Sequence, residues 1–417
     1  MAKNLARAFH QSHENFQDVE YQEADEAERL VQLAKLQPLT DGGLRTSQLL
    51  SEALAKDPHH HEARILRERL YQMFVPRWHF PMLADKARNR AYAAAIAAKV
   101  RPGDVVLDIG CGAGLTAMLA ARAGAKHVYT CEQQPLIAEA AVRVIEANGL
   151  SDRITVIAKM SHDLVVGVDL PEPADVVISE IVDTVLLGEG ALPTLVHAMR
   201  RLAKRDARTI PERGALMAQL VESDRLLNLW RPTQAEGFDL AAFHHFATVA
   251  QITPNDFATC GLRPLGPART LFQFDFLRPD MKPARATEDL VCSSAGAIHA
   301  VLVFFEMDLA PGIQVTNGLG SDGHWGRTAF LLDRPISAAP GNLLRITAHH
   351  DASQLSLSAH KAASCTDGAD HAAICVEHTW NGPDFLGDGC DRAVSSASTW
   401  HHAKTVNAPA GRAELPM

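Results

Sequence analysis

Apolar positions along this chain follow three successive patterns. Before about residue 71 they recur at helical spacing: residues 27–36 form one amphipathic run, and residues 47–56 form another that ends at Asp57-Pro58, where proline cannot continue a helix. From there to about residue 210, short and nearly continuous apolar runs alternate with helical stretches. Residues 104–109, 127–131, 154–158 and 174–178 read as strands of a parallel sheet, because strands covered on both faces lose the polar alternation of half-exposed ones. Helices are expected over residues 115–123 and 192–202. After Pro211 the period becomes two, with strands around residues 215–221, 299–305 and 343–348 between Gly/Pro-rich turns, the pattern of an antiparallel barrel or sandwich. The expected organisation is therefore a helical extension over residues 1–70, an α/β domain over 71–210, an all-β domain over 211–405 and a disordered tail over 406–417.

Candidate chemistry sits at the strand ends. The first strand runs through Asp108 into Gly110-Cys111-Gly112-Ala113-Gly114, and the second ends at Glu132. Glycines let the chain turn sharply and let a ligand approach the backbone closely. Their spacing is G-x-G-x-G, which differs from the G-x-G-x-x-G of a dinucleotide fold. An acid closing the second strand can accept both hydroxyls of a ribose. Together Asp108, Gly110, Gly112 and Glu132 point to S-adenosyl-L-methionine, ahead of a nicotinamide cofactor or a structural glycine turn.

The fourth strand leads into Ser179-Glu180-Ile181-Val182-Asp183-Thr184-Val185-Leu186-Leu187-Gly188-Glu189-Gly190. Two carboxylates, Glu180 and Glu189, bracket a short, largely apolar loop beside the cofactor site. Such a pair suits a cationic nitrogen nucleophile. Guanidinium is one: it is planar, carries five N–H donors and stays charged at ordinary pH.

In order along the chain, residues 78–89 (Trp78 to Asn89), the loop from Leu107 to Gly114, Glu132, the loop Ser179 to Pro193, Thr209-Ile210-Pro211-Glu212-Arg213 and Gly323-His324-Trp325 resemble the protein arginine N-methyltransferases, most closely subtypes 7 and 9. The resemblance spans residues 71–348. It implies a class I methyltransferase Rossmann-like domain followed by a β-barrel, with Glu180 and Glu189 as the "double-E" pair gripping the guanidinium. It also implies that Arg88 binds the methionine carboxylate of the cofactor, that Asp85 braces Arg88 or reaches the substrate, and that His79 and Met82 line the roof. His324 and Trp325 match a "THW" loop walling the guanidinium channel, with Gly323 in place of the threonine. Met160 and Ser161 stand where the family reads the adenine edge, and Asp183 adds negative charge near the substrate, as in subtypes 7 and 9. The segment 228–257 matches the family's dimerisation arm, so a homodimer is expected. Subtype 9 enzymes carry tetratricopeptide repeats before the catalytic module, and Asp57-Pro58-His59 with Glu62-Ala63 resembles the end of one.

Composition narrows the partners. A net charge of −9 argues against general nucleic-acid binding, which needs a basic face, and weakly favours a cationic substrate. Seven cysteines without a C-x-x-C fit reduced thiols in a cytoplasm better than a disulfide framework. The irregular spacing of Cys365, Cys375 and Cys390 around His360, His371 and His378 does not make a metal site, and no apolar run is long enough to span a membrane. The expected activity is methylation of a terminal guanidino nitrogen of arginine, free or in a protein, by an enzyme using S-adenosylmethionine. Another small-molecule N- or O-methyltransferase, or a non-catalytic binding module, is the alternative.

Overall fold

A computed structural model describes residues 25–361 and the short strand His378–Trp380. The expected tail, Cys365, Cys375, Cys390 and His371 lie outside the described residues. Residues 25–35 form helix α1, followed by α2 (Leu44–Lys56) and α3 (His61–Phe74). These three bury a small core of their own, made by Ala27, Val31, Ala34, Leu49, Leu50, Ala53 and Ala63. Two further helices, α4 (His79–Ala84) and α5 (Lys86–Lys99), lead into the α/β part.

That part is a five-stranded parallel sheet of β1 (Val105–Ile109), β2 (His127–Cys131), β3 (Ile154–Ile157), β4 (Ala174–Ser179) and β5 (Ala203–Ile210), in the order β3-β2-β1-β4-β5. Helices α6 (Leu115–Ala123), α7 (Pro135–Ala147) and α8 (Ala191–His197) connect them, and a π-helical turn over Ala198–Leu202 finishes the expected last helix. Every residue of β1 is buried, Asp108 included. Strand order reverses between β1 and β4, and such a switch point opens a crevice at the carboxyl ends of the strands where ligands bind. The glycine loop, Glu132 and Glu180 all leave strands at that end.

Beyond the cis Ile210–Pro211 peptide the chain becomes antiparallel. Strand β6 (Arg213–Glu222) pairs with the 15-residue strand Gly296–Ala310, which pairs in turn with Arg327–Ala338. The expected barrel is not closed among the described residues. They form an open seven-stranded sheet and a separate four-stranded one. One edge of the larger sheet is the two-residue strand Arg263–Pro264, whose proline has no N–H to offer another strand. Period-two alternation holds in β6 and in Leu343–His350, whereas residues 298–305 of the long central strand are buried throughout; in either case it carries no information about closure. One continuous core runs from Ile96, Leu107 and Ile178 through Leu186 to Phe276, Phe305 and Trp325, so the loop after β4 is packed between the two sheet systems.

Candidate active site

Asp85 stands at the junction of α4 and α5 and caps α5, its Oδ1 accepting the Arg88 backbone N–H at 2.9 Å. Its Oδ2 accepts the His324 backbone N–H at 2.9 Å and meets His324 Nδ1 at 3.0 Å. One carboxylate thereby ties the start of α5 to the aromatic loop 239 residues away in sequence. Burial works against its charge, but the donors from Arg88 and His324 outweigh that and hold Asp85 below the usual carboxylate range. The glycine at 323 now has a reason: a Cβ there would lie 2.9 Å from Asp85 Oδ2.

The cap aims Arg88 inward. Its side chain is 5% exposed and forms an ion pair with Glu180 Oε2, while Nη1 donates to Asn89 Oδ1 at 2.9 Å. Burial opposes its charge, and Glu180 more than restores it. Arg88 Nε is buried without a hydrogen-bond partner among the described residues, so one donor of the fork is unmet. The Tyr92 hydroxyl donates to Ser179 O at 3.1 Å, fixing α5 against the end of β4.

The loop from Glu180 to Gly190 is tightly built. Leu186 and Glu189 take positive φ, 65° and 57°, which non-glycine residues adopt at a cost. Asp183 is 6% exposed and its Oδ1 accepts the Val185 N–H at 3.0 Å. A Cβ at Gly188 would fall 2.4 Å from Asp183 Oδ2, so glycine is required there. Asp183, read from sequence as a substrate contact, is thus seated inside the loop and reaches Glu189 through its field. Glu189 has an open surface facing solvent, yet protein surrounds the carboxyl closely. That enclosure first, then repulsion by Glu180 and Asp183, pushes it up to about 8. Water at the open face opposes that rise. Three acids therefore converge on one place.

On the cofactor side, Gly110 (φ 84°) lies where a Cβ would meet Ile181 Cγ2 at 2.7 Å. Glu132 Oε2 accepts the Gly112 N–H at 3.1 Å, and Oε1 accepts the Gln134 N–H at 2.9 Å. Asp108 is fully enclosed, takes a hydrogen bond from Thr130 Oγ1 at 2.7 Å, and is pushed up to about 7 by burial. Met82 and Ser161 are buried, whereas Met160 is exposed at 44%. His79, expected to line the roof, lies close to the glycine loop: its Cδ2 is 3.9 Å from where a Cβ on Gly112 would be, and its ring stacks on Trp78. Trp325 is 7% exposed, edge-on to Phe305 and 4.1 Å between centroids from His324, so most of it is packed into the core. A separate cleft of ≈ 360 Å³, lined by Tyr71, Phe80, Leu136 and Arg143 among others, contains none of these acids.

Sequence reasoning missed Asn317, Thr328 and Arg327. All three are buried at 0–1% exposure around the two substrate loops. Nothing in their local sequence marks them, since an Asn or Thr beside a glycine turn is ordinary loop chemistry.

Strand order, glycine loop, a second-strand acid and an arginine with a spare donor fit the phosphate-free, zwitterionic S-adenosylmethionine, and define a methyltransferase that uses it. Residues 93–210 match the family described as ribosomal protein L11 methyltransferase (PrmA). The chain is 42% identical over 273 residues to an arginine N(omega)-methyltransferase of Streptomyces achromogenes subsp. streptozoticus, covering 65% of this chain and 75% of that protein. It is 32% identical over 343 residues to protein arginine N-methyltransferase 7 of Xenopus laevis, covering 73% of this chain but 49% of that protein. In fold it is similar to an arginine methyltransferase enzyme–prozyme heterotetramer of Trypanosoma brucei solved with AdoHcy, with TM-score 0.60, 21% identity, and 72% of this chain covering 96% of that one. The chain belongs to the arginine N-methyltransferase family.

Proposed function

We propose that this protein transfers a methyl group from S-adenosylmethionine to a terminal guanidino nitrogen of arginine, with Glu180 and Glu189 holding the guanidinium. The observation that carries this is the behaviour of Glu180, which already engages a guanidinium, that of Arg88, while Glu189 and Asp183 add negative charge beside it. A guanidinium nitrogen is a poor nucleophile because its lone pair is delocalised. Opposed carboxylates hold it by charge-assisted hydrogen bonds and favour localising that lone pair on one nitrogen, so orientation and electrostatics supply most of the catalysis. S-adenosylmethionine supplies the electrophilic methyl. Arg88, with Gly110, Gly112, Asp108, Glu132, Met82, Met160 and Ser161, holds it; His324, anchored by Asp85, and Trp325 wall the channel. The proton released from the nitrogen goes to Glu180 or Glu189.

Among relatives, the Streptomyces enzyme is named for arginine and the vertebrate ones for protein arginine, so the test must offer both. A radiolabelled methyl assay with free L-arginine, an arginine peptide and a protein extract in parallel, followed by mass analysis, is expected to give a methylated guanidine in at least one arm. Label in none of the three, or label on oxygen or on another nitrogen, would overturn the assignment and favour a different methyltransferase.

The enzyme is further read as a cytoplasmic homodimer. Within the segment 228–257, Leu229, Phe238, Phe243 and Phe246 are 58–75% exposed, an apolar set that a second copy would cover. Sedimentation of a stable, fully active monomer would count against the dimer. The α2–α3 pair turning at Asp57-Pro58 is the ground for reading the extension as tetratricopeptide-like. Among the described residues no helix is long and apolar enough to cross a membrane.

A further inference from the structure

The double-E loop and the aromatic loop come from distant parts of the chain, and a buried amide joins them. Asn317 is 1% exposed. Its Nδ2 donates to Thr184 O at 3.0 Å and to Gly326 O at 2.9 Å, and its Oδ1 accepts the Phe305 N–H at 2.7 Å. The orientation of the amide follows from chemistry: a backbone N–H can only donate and two carbonyls can only accept, so the flipped amide would lose all three bonds. Thr184 lies between Glu180 and Glu189, and Gly326 follows Trp325 directly. A second tie lies alongside, between Thr184 Oγ1 and Thr328 Oγ1 at 2.7 Å, with Thr328 completely buried. The loops also abut sterically: a Cβ at Gly326 would be 3.4 Å from Thr184 Cγ2 and 3.0 Å from Ile252 O. Arg327 stiffens the aromatic loop from behind, donating to the carbonyls of Trp325 and Ser321 and stacking 3.7 Å over the Phe257 ring.

We propose that Asn317 is a positioning residue that sets the distance between the double-E loop and the His324–Trp325 wall, and thereby the width of the guanidinium channel and the number of methyl groups it admits. This rests on the reading of Glu180 and Glu189 as the guanidinium grip. The reason for a large effect is geometric. Phe305 belongs to the rigid central strand, so the amide references both loops to one fixed point, and a misplacement of about 1 Å at a reacting centre costs on the order of 10²-fold in rate. The clamp's bonds go to Thr184, Gly326 and Phe305, not to Ile181, the residue of the double-E loop that meets Gly110, so cofactor binding is read separately.

The test uses the full chain with two isosteric substitutions. Asn317→Asp keeps the acceptor for Phe305 but turns an oxygen toward two carbonyls, and Thr328→Val removes the hydroxyl tie. For Asn317→Asp the expected result is a fall in kcat of at least about tenfold and a changed ratio of mono- to dimethylated product. AdoHcy affinity measured by calorimetry should stay within about twofold of the unaltered enzyme. Thr328→Val is expected to move the same two quantities in the same direction by about threefold. A folded Asn317→Asp enzyme with unaltered kcat and product ratio overturns the inference, as does a parallel loss of kcat and AdoHcy affinity, which marks general loosening. Should Asn317→Asp fail to fold, Thr328→Val decides by the same readouts. Glu180→Gln separates this from the underlying reading: if that variant stays active, the guanidinium grip itself is wrong, whereas inactive Glu180→Gln with unaltered clamp variants removes only the present inference.

Discussion

Replacing Glu189 by glutamine is expected to lower turnover on an arginine substrate by about 10²–10³-fold while leaving AdoHcy affinity nearly unchanged. Glutamine keeps the size and one acceptor oxygen of Glu189 but removes the charge. The nitrogen attacking the methyl must gain electron density and then lose a proton, and a neutral amide assists neither step. Glu189 is the cleaner choice of the pair. Glu180 also neutralises the buried Arg88, so Glu180→Gln leaves that charge unpaired and disturbs the group assigned to the cofactor's carboxylate. The affinity change that accompanies Glu180→Gln should therefore exceed that of Glu189→Gln, a difference that single-turnover rates and calorimetry on both variants would expose. Turnover of Glu189→Gln within tenfold of the unaltered enzyme, on the order of 1.4 kcal/mol, would mean that this acid does not grip the reacting group.

The second large effect is in pH. With Glu189 pushed up to about 8 by enclosure and by Glu180 and Asp183, much of the free enzyme at neutral pH carries a proton where the cation must bind. kcat/KM, which reports ionisations of the free enzyme, is expected to rise by about tenfold per pH unit below that value and level off above it. Glu189→Gln should remove the inflection. The stability consequence has the same origin and a definite sign. The folded carboxyl titrates above its ordinary value of 4.5, so the native state binds more protons than the unfolded chain between 4.5 and about 8, and stability declines as pH rises through that window. Glu189→Gln is therefore expected to melt higher than the unaltered protein at pH 9, with the gain vanishing near pH 5. Because Glu189 has an open face, water screens part of this gain. A melting difference independent of pH would show that Glu189 is an ordinary surface acid.

The electrostatic logic also links the two halves of the site. Arg88 balances Glu180, and Asp85 is balanced by donors from Arg88 and His324, whereas Glu189 feels a surplus of negative charge from Glu180 and Asp183. A cationic group entering between the loops meets that surplus. An entering guanidinium would lower the pKa of Glu189 toward the ordinary range and so release a proton on binding, which calorimetry in buffers of different ionisation enthalpy would detect.

Four of the five parallel strands were readable almost to the residue; β5, AKRDARTI with a largely polar first half, was not expected. β1 and β4 are mostly apolar and mostly buried, which suits strands covered on both faces, while β2 alternates between half-buried and buried positions before its buried end. The placement of the glycine loop, Glu132 and Glu180 at the ends of β1, β2 and β4 was readable too, because it depends on local spacing along the chain. Closure of the all-β part was not, since alternation specifies which face is buried and says nothing about whether edge strands meet. The pairing of Arg88 with Glu180 across 92 residues, the seat of Asp183 against Gly188, and His79 lying over Gly112 also escaped the sequence. So did the clamp at Asn317, where one amide answers to three backbone groups on three different segments. Sequence by itself determined which chemistry the chain carries, because periodicity and motif spacing are properties of neighbours. Only tertiary structure decided how the acids are balanced and how the two loops are joined, because charge pairing and loop contacts are set by residues that meet after folding.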